Sequence, residues 1–267
     1  MKILDLKNLT KRFGQFTAVN SISYSVNKGE IFGLVGPNGA GKTTTIKILT
    51  TLLPATSGEA FIGGYNVTRN ASKVRRIIGY VPQLLSADGN LTGYENLLVF
   101  AKLYDIPSKE RKQRIIDSLH FMGLSDSANK LVKSYSGGMI RRLEIAQSVL
   151  HKPLVLFLDE PTVGLDPVAR ETVWEYVKVL AAGGTTVLMT THYMEEADAI
   201  CTRIAIMNKG NIAAIGSPLE LKESIGDADA NLNKVFEYYV GKLLESEEQE
   251  GNFKDVSRTR RVAKRLG

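Results

Sequence analysis

Residues 36–43 read Gly36-Pro37-Asn38-Gly39-Ala40-Gly41-Lys42-Thr43, and they follow the apolar run Ile31-Phe32-Gly33-Leu34-Val35. The pattern G-x-x-x-x-G-K-[ST], set between a strand-like run and a helix-like stretch, marks a phosphate-binding loop. Gly36, Gly39 and Gly41 tolerate backbone angles that other residues resist, so successive N–H groups can curl around the β- and γ-phosphates of a nucleotide. The helix that follows, through Thr44 and beyond, points its positive N-terminus at the same oxygens. Lys42 supplies a point charge to the β/γ oxygens and Thr43 a hydroxyl to Mg²⁺. A nucleoside triphosphate is therefore the expected ligand.

A second run, Leu154-Val155-Leu156-Phe157-Leu158-Asp159-Glu160, is continuously apolar and ends in two acids. That is the pattern of a buried parallel strand whose carboxyl end opens onto a ligand. Asp159 would hold Mg²⁺, and Glu160 would orient or deprotonate the attacking water. Upstream, Ser136-Gly137-Gly138-Met139 precedes a helix-patterned stretch over 140–150. Downstream come Gly164-Leu165-Asp166-Pro167 and His192, just after the apolar run 185–191. In this order and spacing the residues resemble the nucleotide-binding subunit of ABC transporters, over roughly residues 1–216.

The resemblance implies ATP and Mg²⁺ as cofactors, ATP hydrolysis as the activity, and a role for each matched position. Phe13 would stack on adenine, and Gln83 would reach Mg²⁺ and the water while sensing a membrane partner. Ser136, Gly137 and Gly138 would contact phosphate, Asp166 would touch the dimer partner, and His192 would contact the γ-phosphate. Tyr135-Ser136-Gly137-Gly138-Met139 departs from the commoner Leu-Ser-Gly-Gly-Gln. The Ser and both glycines are kept; the amide of the usual Gln is not. With Lys11-Arg12-Phe13-Gly14 and the threonines 43–45, this variant resembles the drug-resistance and ABC-2 type exporter subgroup. In the family two chains assemble head to tail around two ATPs, and the pair drives a separate integral membrane permease. The resemblance thus implies a homodimer, a permease docked near Gln83, and no nucleic-acid partner.

Period and punctuation give the architecture. Residues 2–9 alternate imperfectly and 21–26 cleanly, as half-exposed antiparallel strands do; with Phe61-Ile62 they would form a small β layer. Apolar runs at 31–35, 78–81, 154–158 and 185–190 read as buried parallel strands of an α/β core. Thr92-Gly93-Tyr94-Glu95 and Ser217-Pro218-Leu219-Glu220 are capping boxes, and Asp166-Pro167 places a capping acid before a first-turn proline. Helices near 92–104, 108–122 and 137–150 follow one another without a long strand between them. The expected fold is an α/β P-loop NTPase core of ABC type, with the antiparallel layer and an inserted helical subdomain: core 1–83 and 151–216, helices 84–150. Residues 217–267 form a helical extension that turns Glu-rich at 245–250 and basic at Arg258, Arg260, Arg261, Lys264 and Arg265. The basic tail could meet anionic lipid headgroups or remain a solvated terminus.

Composition agrees. The chain has 267 residues, 43% hydrophobic, and a net charge of +6. That is room for one full ATPase unit. No charge-free apolar run approaches the roughly 18 residues of a membrane span, and residues 1–5 lack the apolar core of a signal peptide. Cys201 is the single cysteine, so no internal disulfide can form. These features predict a cytoplasmic protein, and the resemblance implies that it is held on the inner membrane face through its permease. Cys201, Trp174 and Tyr176 read as packing residues, and His120 and His151 have no partners at metal-ligand spacing. The alternatives are a non-transport ABC ATPase or a nucleotide-sensing module without turnover. Residues 84–135 are too few for the coiled-coil arm of the first, and Glu160 argues against the second.

Overall fold

The structure, a computed structural model, describes residues 1–227 and 230–241. In chain order it contains β1 (Lys2–Phe13), β2 (Phe16–Asn27), β3 (Ile31–Val35), α1 (Lys42–Leu49), β4 (Ser57–Ile62), β5 (Tyr65–Asn66), α2 (Ala71–Ile77) and β6 (Ile78–Val81). The helices α3 (Gly93–Leu103), α4 (Ser108–Phe121) and α5 (Gly137–Val149) come next. Then follow β7 (Val155–Asp159), α6 (Pro167–Ala182), β8 (Thr186–Thr191), α7 (Met194–Ile200), β9 (Arg203–Asn208), β10 (Asn211–Gly216), α8 (Pro218–Glu223) and α9 (232–241).

Two sheets form. The first is antiparallel, in the order β2-β1-β4-β5, and its long β1–β2 hairpin slips register at several points between Lys2 and Arg12. Those shifts are why the alternation of residues 2–9 is imperfect: a bulge moves following side chains to the other face. The second sheet runs β10-β9-β3-β8-β7-β6, with β9 through β6 parallel and β10 antiparallel on the edge. Sequence periodicity predicts four strands here; β9 and β10 are additions. The run over 204–207 is apolar on both faces, and that pattern alone does not separate a buried strand from a buried helix segment.

The large sheet divides two cores. Along β7, Leu156 and Leu158 face one core while Val155 and Phe157 face the other; β3 splits likewise into Ile31 and Val35 against Phe32 and Leu34. Both faces are covered, so these strands read as continuous apolar runs rather than alternating ones. The first core includes the apolar faces of α3, α4 and α5, together with Leu232 and Val235 of α9. The second lies between the large sheet, α1 and the antiparallel layer. Thr92 and Ser217 form full capping boxes, and Asp166 accepts from the Ala169 amide ahead of Pro167. The expected helices over 219–225 and 232–244 appear as α8 and as α9 through 241. The Glu-rich stretch 245–250 and the basic positions 258–265 lie outside the described residues.

Candidate functional site

The strands β3, β7 and β8 end side by side, with Val35 opposite Thr191 and Asp159 opposite Thr190. Parallel register therefore delivers the glycine loop, the two acids and His192 to one edge of the sheet. Ligands of open α/β sheets bind outside such carboxyl ends. The loop itself needs its glycines. A β-carbon on Gly36 would stand 2.1 Å from the Met207 carbonyl oxygen. At Gly41 φ is +107°, and a β-carbon would meet the Ala18 carbonyl oxygen at 2.4 Å.

A cavity of about 350 Å³ opens over this loop, lined by Phe16, Ala18, residues 38–44, Gln83 and Glu160. Lys42 and Glu160 are both almost wholly buried, at 3% and 5% exposure. Lys42 Nζ donates to the carbonyls of Gly36 at 2.8 Å and Pro37 at 3.1 Å, and pairs with Glu160 Oε1 at 3.2 Å. The other Glu160 oxygen, Oε2, accepts from Gln83 Nε2 at 3.2 Å. His192 Nδ1 lies 3.2 Å from the same oxygen but at an angle that makes no hydrogen bond. Glu160 itself sits at φ +48°, a left-handed backbone that is uncommon outside glycine, and its amide is held by the Thr190 hydroxyl at 3.0 Å. That conformation turns the chain sharply at the end of β7, so Asp159 and Glu160 point to different places.

Asp159, buried, accepts from Thr43 Oγ1 at 3.0 Å and from Thr190 Oγ1 at 2.6 Å. Burial raises its carboxyl above the usual range, against those two donors and Lys42, which lower it. One buried carboxylate beside a threonine hydroxyl at the mouth of a phosphate loop is a donor set of hard oxygens. Mg²⁺ sites of this kind take one or two carboxylates and leave other positions to phosphates and water, so these residues fit that ion. Among the described residues no cluster of three or more His, Cys, Asp or Glu could form an all-protein metal site.

The structure thus brings Lys42, Thr43, Gln83, Asp159, Glu160 and His192 together. It leaves Ser136, Gly137 and Gly138 off the cavity wall, with Ser136 and Gly137 exposed, and Asp166 exposed as well. Ser136 caps α5, accepting from the Met139 amide at 3.3 Å, and Gly138 packs where a β-carbon would stand 2.8 Å from the Ala169 side chain. Phe13 also stays off the wall; Phe16 takes that position. The two are cross-strand partners at the tip of the β1–β2 hairpin, and the Lys11 ammonium lies 5.0 Å over the Phe13 ring.

Sequence reasoning passed over Thr190, whose place opposite Asp159 is visible only once β7 and β8 are paired in register. It also passed over Glu196, a buried carboxylate whose pKa is raised by burial and lowered in part by its donors. Glu196 Oε1 accepts from Thr162 Oγ1 at 2.9 Å and from Trp174 Nε1 at 2.8 Å. Trp174 is therefore a packing residue with its polar edge tied. The bond to Thr162 fastens the chain just after Glu160 to α7, just after His192. Cys201 is buried, with its thiol pushed up by desolvation, and His151 stacks on Tyr104 at 3.7 Å.

A mostly parallel sheet with a glycine loop, a buried lysine and an Asp-Glu pair at its carboxyl edge defines a nucleoside-triphosphate hydrolase. The chain belongs to the ABC transporter family, whose model matches residues 19–163. It is similar to the linearmycin resistance ATP-binding protein LnrL of Bacillus subtilis, 42% identical over 224 residues, which are 84% of this chain and 72% of that one. It is 43% identical over 235 residues to the mouse (Mus musculus) phospholipid-transporting ATPase ABCA3, spanning 87% of this chain but 14% of that longer protein. Among solved structures, the ATP-binding subunit of an ABC transporter superposes with a TM-score of 0.80 at 27% identity, covering 89% of this chain and 99% of that one. The chain is an ATP-binding, ATP-hydrolysing subunit of an ABC transporter. Among the described residues no helix is long and apolar enough to cross a membrane.

Proposed function

We propose that this chain drives export through a separate membrane permease, by closing as a head-to-tail homodimer around two ATPs. One observation carries the dimer reading: Ser136 and Gly137, at the start of α5, are exposed, while the cavity of their own chain lacks them. An exposed serine-capped helix start offers amide donors and positive partial charge to a phosphate that another chain holds. The resistance role named for LnrL, together with the Tyr-Ser-Gly-Gly-Met variant, supports export. Leu84 and Leu85, directly after Gln83, are 82% and 53% exposed, and such an apolar pair beside the site suits a membrane subunit. A peripheral position on the cytoplasmic membrane face follows from that docking.

In this reading Phe16 or Phe13 takes the base, and residues 36–44 take the phosphates. Thr43, Asp159 and Gln83 would hold Mg²⁺, which supplies neutralising charge to the phosphate oxygens when bound. Glu160 accepts the proton of the attacking water. Gln83 and Lys42 fix its two oxygens, and His192 stands beside Oε2, where it can contact the γ-phosphate. Lys42, itself almost wholly buried, stabilises charge that develops on the transferred group. Hydrolysis then removes the phosphate contacts of the facing Ser136, and the dimer opens.

Glu160→Gln tests both halves of this reading. It keeps the shape of the side chain but removes the proton acceptor, so steady-state phosphate release should fall by roughly 10²- to 10⁴-fold while ATP binding persists. The same variant should shift from monomer to dimer by light scattering on addition of ATP and Mg²⁺. Undiminished hydrolysis contradicts the role of Glu160, and a mass indifferent to ATP contradicts the dimer.

A further inference from the structure

Helix α5 buries a polar stripe. Arg141, Glu144 and Gln147 recur every third residue along one face, and each is 2% exposed. Charged side chains are almost never buried to this degree unless paired; Arg141 and Glu144 both bind the segment after β6 that carries Gln83, and Gln147 reaches it through Asn96. Arg141 Nη1 donates to the Pro82 carbonyl at 2.7 Å and to Glu144 Oε2 at 2.9 Å, while Nη2 donates to the Gln83 carbonyl at 2.8 Å. Glu144 Oε1 accepts from the Ser86 amide and, at 3.1 Å, from the Ser86 hydroxyl. Gln147 Nε2 donates to Asn96 Oδ1 at 3.2 Å, and that oxygen also accepts from the Asp88 amide at 3.0 Å.

A buried ion pair is weak evidence for stability, since well-packed apolar residues often serve as well. What a guanidinium fork adds is direction: two successive carbonyls are fixed at once by a rigid planar group. Those carbonyls flank the Cα from which the Gln83 side chain reaches Glu160. The same helix begins at Ser136. We propose that Arg141 and Glu144 are positioning residues that set the reach of Gln83 to Glu160 and bind it to the helix bearing Ser136-Gly137-Gly138. This rests on the roles proposed above for Gln83 and Glu160.

The test is a double-mutant cycle in the full chain, with Arg141→Met/Glu144→Leu as one arm and Gln83→Ala as the other. The paired replacement leaves no orphaned buried charge. It should fold, bind ATP as the parent does, and show faster amide exchange over 83–88 with the glycine-loop amides unchanged. Its kcat should fall on the order of 10²-fold, the cost of a misplaced reacting group, with KM little changed. Adding Gln83→Ala, which lowers kcat in the parent, should then lower it little further, because both changes remove one interaction. An equal fold-loss from Gln83→Ala in both backgrounds, or unchanged exchange over 83–88, overturns the proposal. A Gln83→Ala change without effect in the parent also overturns it, and faster exchange in the paired variant would then place the fault with Gln83 rather than with the clamp. Should the paired variant not fold, Arg141→Lys keeps the charge beside Glu144 without the fork, and the same cycle with the same outcomes applies.

Discussion

Two phenyl rings stand opposite each other at the hairpin tip, and only Phe16 lines the nucleotide cavity. Stacking on a base is worth about 1–3 kcal/mol per ring by alanine substitution. The geometry therefore predicts that Phe16→Ala weakens equilibrium binding of a fluorescent ATP analogue by that amount and that Phe13→Ala costs less. A loss confined to Phe13→Ala would return the base to the ring that family resemblance implies. At this scale Asp159, Glu160 and His192 were legible because each directly follows an apolar run, and Lys42 and Thr43 because the glycine motif fixes them by local spacing. Thr190, Glu196 and Arg141 were not. Each acts across sequence separations of roughly 30 to 60 residues, and nothing in their local sequence announces a partner on another element.

Helix starts were equally legible, since caps are local chemistry. Thr92 accepts from the Glu95 amide at 3.1 Å while Glu95 reaches back to the Thr92 amide at 2.8 Å. Thr92→Ala should lower unfolding free energy by about 1 kcal/mol, read from the urea midpoint at unchanged slope. The last two strands were harder: β9 is buried on both faces and β10 is half-buried throughout, so neither carries a clean period of two. At the junction of α5 with the sheet, His151 Nε2 bonds the Ile78 carbonyl at 2.9 Å while its Nδ1 is buried without a partner. Burial lowers its pKa, only partly countered by that carbonyl. A depressed folded-state value means the neutral ring contributes stability above the ordinary value of about 6.5, and that contribution is lost as pH falls below it. His151→Leu should flatten this part of the stability–pH curve, measured by urea titration at each pH. An unchanged slope would assign the acid sensitivity to other groups.

At the scale of the molecule, the sheet that separates two cores also fixes where chemistry occurs. The phosphate loop, the acid pair and His192 leave the sheet at one edge, while α5 exposes Ser136 off the cavity that opens over the loop. In the head-to-tail dimer proposed above, each protomer carries one half of a site and the complement of another's. The most direct measurement mixes two damaged chains. Lys42→Ala removes the phosphate-holding half, Ser136→Arg blocks the presented half, and each homodimer is damaged at both sites. A mixed dimer joins the intact loop of the Ser136→Arg chain to the intact helix start of the Lys42→Ala chain. With a composite site, mixing restores occlusion of one labelled ATP per two chains where neither variant alone occludes any. If the mixture occludes none while both variants are folded and the parent does occlude ATP, the composite site is contradicted, and Ser136-Gly137-Gly138 must act within its own chain.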